Sequence, residues 1–237
     1  MKTSNKILIG LLSTIFFVMM AFFLDIRVFG ERRSWDYKPI TKDIPVGEFA
    51  HINVDKFKTL KIVRSDKNYF QTAIYSEHTN IKFDFSLEND TLNIFENSYA
   101  TPDSVKLPRF TYSITLFTNC NIQSITSSNS QIRISGLDQD SIKMSVSNGV
   151  INSFGRTGNK FSHFKKAKIA EYNSGINFWD IKVDTLEIQL ENSNADFRKD
   201  IYKVQANIKS KSTLSLKDVE KLKLEKDENS RIYIRYF

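Results

Sequence analysis

The second half of this chain repeats, and the repeat period restricts its fold more than any other feature. A polar turn built on Asn, Ser or Gly precedes an apolar position at Ile132, Ile151, Ile176, Ala195, Leu214 and Ile232, at intervals of 19, 25, 19, 19 and 18 residues. The turns read SSNSQI, VSNGVI, YNSGIN, ENSNAD, SKSTLS and ENSRIY. The long interval contains Gly155-Arg-Thr-Gly-Asn-Lys160, an inserted surface loop that accounts for its extra residues. A second apolar set precedes the turns. Leu186, Ile188 and Leu190 recur 18 residues on as Val204, Ala206 and Ile208, and Val204 and Ala206 recur again as Leu222 and Leu224. One such unit cannot bury its inward face alone, whereas stacking at about 4.8 Å per rung makes a continuous apolar interior. The expectation is an all-β fold, a β-solenoid or β-helix-like stack of short strands, with the repeats in 109–237.

From Ile44 onward, apolar and polar residues alternate with period 2 and no stretch carries helical periodicity. Strands are expected at Phe49–Val54, Thr59–Val63, Phe70–Tyr75, Ile81–Leu87, Thr91–Phe95 and Arg109–Phe117, with a hairpin connection at Asn89-Asp90. Thr101-Pro-Asp-Ser and Pro108 separate an irregular first half, 44–100, from the repeats.

Ile7 to Leu24 is free of charge and approaches the ~20 residues that span a bilayer as a helix. It exceeds a typical signal-peptide core, and no Ala-x-Ala site follows. The expected organisation is a membrane anchor or uncleaved signal at 1–25, a linker at 26–43 carrying Trp35 and Tyr37, and the β domain at 44–237. Arg27, Arg32, Arg33, Lys38 and Lys42 outnumber Lys2 and Lys6 across the segment, so the positive-inside rule favours the opposite orientation. The short N-terminal tail and the exported character of such folds argue for a single-pass protein of a bacterial inner membrane with its C-terminal domain in the periplasm. The alternative is secretion or surface display after cleavage.

Charge and motifs narrow the function. The net charge of +7 is spread along the strands without a basic run, and no nucleic-acid motif accompanies it, so no nucleic-acid partner is expected. The single cysteine, Cys120, allows no intrachain disulfide and reads as a buried, inert thiol. His51, His78 and His163 stand apart with no ligand-like spacing, and no nucleophile elbow, phosphate loop or zinc motif occurs, so no cofactor or metal is expected.

Three columns merit attention. Asn129, Asn148, Asn173, Asn192 and Asn229 recur in the turns, where Asn tolerates the left-handed conformation and its amide reaches the next rung. Asp180, Asp200 and Asp218 recur at spacings of 20 and 18. A repeated acid suits a repeated corner, with Lys199 and Lys217 balancing charge; stacked carboxylates about 5 Å apart would also serve glycosidase chemistry or hold a hard cation. Phe178-Trp179 is either a core plug or an exposed aromatic pair that docks a sugar or protein partner.

The opening Phe49-Ala-His-Ile-Asn-Val54, the strand entry Asp90-Thr-Leu-Asn-Ile94, and the small-polar turns followed by apolar pairs, including Gly175-Ile176-Asn177, resemble the head GIN domain family, described as candidate autotransporter adhesins. The resemblance covers about 44–237. It implies an exported, repeat-rich β fold and brings no catalytic residues. Family turns are Gly-rich; Asn, Ser and Lys stand in most of those places here, which marks a divergent member. The functional expectation is a non-catalytic, membrane-tethered envelope binding or scaffolding domain, adhesin-like, with a polysaccharide or protein partner. The alternative is a polysaccharide-acting enzyme that uses the stacked Asp residues.

Overall fold

A computed structural model of the chain describes residues 10–21, 40–74, 83–96, 112–153 and 161–235. The expected linker aromatics Trp35 and Tyr37, the break at 101–108, the inserted loop at 155–160 and His78 lie outside these residues. The chain divides into two compact units, Met1–Lys38 and Pro39–Phe237.

In the first unit the described helix covers residues 10–21. No described helix is long and apolar enough to cross a membrane. The expected transmembrane helix over Ile7 to Leu24, and with it the single-pass inner-membrane placement, is therefore corrected.

The described residues of the second unit form seventeen strands: β1 (Ile40–Pro45), β2 (His51–Asp55), β3 (Leu60–Arg64), β4 (Tyr69–Ile74), β5 (Phe83–Glu88), β6 (Thr91–Glu96), β7 (Tyr112–Thr118), β8 (Ser124–Ser128), β9 (Gln131–Ser135), β10 (Asp138–Ser147), β11 (Val150–Ser153), β12 (Ser162–Tyr172), β13 (Gly175–Phe178), β14 (Ile181–Glu191), β15 (Asn194–Lys209), β16 (Thr213–Lys226) and β17 (Arg231–Arg235). The six strands expected between Phe49 and Phe117 are all present, with residues 75, 81–82 and 109–111 of those expected spans lying outside the described residues. At Asn89 and Asp90 φ is +48° and +59°, the paired left-handed residues of a tight hairpin, and β5 and β6 pair antiparallel across them.

The repeat is realised as register. Ile132, Ile151, Ile176, Ala195, Leu214 and Ile232 are successive partners in parallel pairings from β9 to β17. A second column runs Leu92, Ile52, Ile125, Met144, Ile169, Ile188, Ala206, Leu224. Both columns point into one apolar core.

Closure is where expectation and structure part. All seventeen strands join one sheet rather than a closed solenoid of short strands. β15 pairs with β13 at Asn194–Phe197 and with β14 at Lys203–Lys209, so one sixteen-residue strand crosses both ladders and joins them. The first half departs further, because β1 pairs antiparallel with β4, and β4 with β7. An 18-residue period sets which residues stack; it does not dictate that the backbone break into separate short strands at each corner.

The turns hold the ladders in phase. Asn129, Asn148, Asn173 and Asn192 all have φ between +49° and +50°. Their amides form a chain: Asn192 Nδ2 donates to Asn173 Oδ1 at 2.6 Å, and Asn173 Nδ2 to Asn148 Oδ1 at 3.3 Å. Beside them a hydroxyl relay runs from rung to rung. Ser193 Oγ accepts the Ser174 N–H at 3.1 Å, and Ser212 Oγ accepts the Ser193 N–H at 3.0 Å. Asn173→Ala loses both the amide chain and the tolerance for positive φ, and is expected to cost about 1–2 kcal/mol in urea denaturation, whereas Asn173→Gly keeps the backbone and costs less.

Candidate binding surface

Inward residues of the β9–β17 ladder make the core, so the alternate residues form an outward face. Its central column is Arg133, Asn152, Asn177, Asp196, Ser215 and Tyr233. Asn177 Nδ2 donates to Asn152 Oδ1 at 2.8 Å, which fixes both amides. Two residues beyond Asn177, where β13 has ended, the chain presents Trp179.

Trp179 is held from several sides although its side chain is 49% exposed. Its backbone N–H donates to Ser153 Oγ at 3.0 Å, and the N–H of Asp180 reaches the same oxygen at 3.3 Å. The indole Nε1 donates to Asp196 Oδ2 at 3.2 Å. Arg198 Nε donates to that same oxygen at 3.1 Å, and its guanidinium lies 4.0 Å from the centre of the indole. A large aromatic left in water but fixed by a carboxylate and a stacked cation is a preorganised contact surface, because little rotamer freedom remains to be lost on binding. With Arg133, Asn152, Ser153 and Asn177 it lines a depression of about 250 Å³.

The expected aromatic pair is thus divided. Phe178 is a core residue with no exposure, packed edge-to-face on Phe197 at 5.5 Å, and only Trp179 faces outward. The Asp column is also divided. Asp180 is half-buried beside Ser153 and does not line the depression that the other two border. Asp200 and Asp218 share Lys217, whose Nζ lies 3.2 Å from Asp200 and 4.0 Å from Asp218. Both border an open depression of about 460 Å³ with Asp184, Glu220 and Lys182. Among the described residues no group of acids, His or Cys has the geometry to hold a metal ion. Cys120 is half-buried, its Sγ accepting from Asn68 Nδ2 at 3.2 Å.

Asn152, Ser153, Asp196 and Arg198 escape a reading along the sequence because they lie 17 to 27 residues from Trp179. The signal that finds them is the period itself: Trp179 plus one repeat is Arg198, and Asn177 plus one repeat is Asp196.

No family model matches the chain, and no curated protein matches it. Among solved structures, a candidate adhesin from Bacteroides fragilis superposes with a TM-score of 0.52 at 16% identity, covering 84% of this chain and 97% of that one. The two share a fold. A candidate adhesin from Parabacteroides merdae gives 0.39 at 11% identity over 84% and 97% of the two chains, and a candidate lipid-binding protein from Parabacteroides distasonis gives 0.43 at 16% over 85% and 98%.

Proposed function

We propose that this chain is a non-catalytic, adhesin-like binding domain, a divergent relative of the head GIN family, whose contact surface for carbohydrate is the face around Trp179. The observation that carries the reading is a half-exposed indole locked by Asp196 and Arg198 beside a paired Asn152–Asn177 amide system. A sugar ring offers an apolar C–H face and a rim of hydroxyls. The indole takes the first, and the amides, which both donate and accept, take the second. The description of the Bacteroides fragilis protein as a candidate adhesin agrees with this reading.

The competing enzymatic reading needs one distinguished pair of carboxylates. Asp200 and Asp218 instead stand on the surface around a common lysine, an arrangement that suits charge balance at a corner.

The test is a glycan array probed with the full chain, followed by titration of the best ligand. Trp179→Ala is expected to weaken binding about 30-fold, the size of a tryptophan hot spot of about 2 kcal/mol. Asn177→Ala is expected to weaken it about tenfold, by removing a donor and releasing Asn152. Asp200→Asn and Asp218→Asn should leave affinity unchanged. Retention of full affinity by Trp179→Ala refutes the assignment of this face.

A further inference from the structure

The inward columns are covered rung by rung until the last rung, where cover stops half-way along a strand. β17 pairs with Thr213–Lys217 of β16 and no further. Lys221–Lys226 pairs with Lys203–Ile208 of β15 on one side and, among the described residues, with no strand on the other. This leaves a step one strand wide. Burial registers it: Val204 is fully buried, whereas Leu222, its partner in the same column, is 39% exposed. Leu224, the partner of buried Ala206, is half-buried. Stacked repeats need such an end closed, and an open row of backbone donors and acceptors flanking apolar side chains is a template for strand addition.

We propose that this step is the docking edge for an extended segment of a partner protein, which adds as a strand parallel to β16, as the rungs above it do. The edge specifies the chemistry of its occupant. Leu222 and Leu224 face the core side and call for apolar residues opposite, while Lys221, Lys223 and Glu225 alternate with them on the outward side and call for Glu, Glu and Lys. A second copy of the chain fits less well, because an antiparallel twofold about Lys223 would set Leu222 against Leu224 and Lys221 against Glu225 but would place the two Lys223 ammonium groups opposite each other.

The experiment is fluorescence anisotropy of labelled, end-blocked peptides with the full chain: Thr-Glu-Leu-Glu-Leu-Lys-Thr, its charge-inverted form Thr-Lys-Leu-Lys-Leu-Glu-Thr, and the first peptide N-methylated at alternate residues. The first is expected to bind at least about tenfold more tightly than the second, because three cross-strand pairs change sign between them. N-methylation should abolish binding, because it removes the ladder donors. The triple variant Lys221→Glu, Lys223→Glu, Glu225→Lys should reverse the preference while its circular dichroism stays that of the unaltered chain. Equal binding of the two peptides, or a preference that the triple variant leaves unchanged, overturns the proposal. So does efficient disulfide formation between copies of Lys223→Cys in a Cys120→Ser background, which would give the edge to a second copy.

Discussion

Glu171→Leu is expected to raise the stability of the fold by about 2 kcal/mol at pH 8, the cost of burying a polar group without partners. Glu171 occupies an inward position, in the column Ile94, Val54, Ser127, Val146, Glu171, Leu190, Ile208. It is 4% exposed, and neither carboxyl oxygen has a hydrogen-bond partner among the described residues. Burial alone pushes its pKa well above the ordinary 4.5. The sign of the pH dependence follows. Near pH 4 the group is protonated in folded and unfolded chains alike and contributes no proton-linked penalty. As pH rises past 4.5 the unfolded chain releases the proton while the folded chain keeps it, so stability falls by up to about 1.4 kcal/mol per pH unit until the folded carboxyl ionises too. Urea denaturation between pH 4 and 8 checks this. Glu171→Gln should flatten the decline, and Glu171→Leu should both flatten it and raise the whole curve. An unchanged slope in Glu171→Gln would assign the pH dependence to other groups.

Gly149→Ala is expected to destabilise the fold by about 3 kcal/mol, the upper range of overpacking. In the turns on either side the corresponding place is taken by serine, Ser130 and Ser174. A Cβ at 149 would penetrate the Ser130 carbonyl oxygen and lie 3.2 Å from the Ser130 nitrogen. That oxygen already accepts the Val150 N–H at 2.9 Å, so the neighbouring rung has to move or lose the bond. Gly175, in the next turn and the partner of Val150, supplies the control. A Cβ there would meet only Asn194 O, at an ordinary 3.6 Å. Gly175→Ala should therefore change stability by less than about 0.5 kcal/mol, well inside the range for a substitution without a clash. Equal losses for the two variants would contradict the packing described at Gly149.

The two glycines show where sequence reasoning reached and where it stopped. The turns and inward columns were legible because the fold writes them twice, as period-2 alternation within strands and as an 18- or 19-residue spacing between rungs. Ile132 through Ile232 stack as that spacing demands. Which turn glycine meets a backbone atom depends on the distance between rungs, and no pattern in the text of the turns records it. Closure is illegible for a similar reason, since nothing in Asn194–Lys209 shows whether the backbone breaks into separate short strands at the corner, and β15 runs through it. In Ile40–Pro45 the charges and Pro45 obscure alternation, so the text of the sequence suggests the end of a linker up to residue 43, yet the segment pairs as an antiparallel strand with β4. Glu171 is not legible in the sequence because a lone acid in Ala170-Glu171-Tyr172 looks like a solvated strand residue until its neighbours in the column are known. At the candidate site Trp179 itself was legible, as a large aromatic next to a turn. Its supports were not, because Asp196 and Arg198 become its neighbours only through stacking.

The claim that Trp179 is the contact residue is tested most directly by its own fluorescence. The chain has two tryptophans, so Trp35→Phe leaves Trp179 as the only emitter. Titration of this variant with the carbohydrate selected on the array should shift the emission to shorter wavelength and saturate at the concentration at which binding saturates. Saturated binding with unaltered emission would place the ligand elsewhere on the protein.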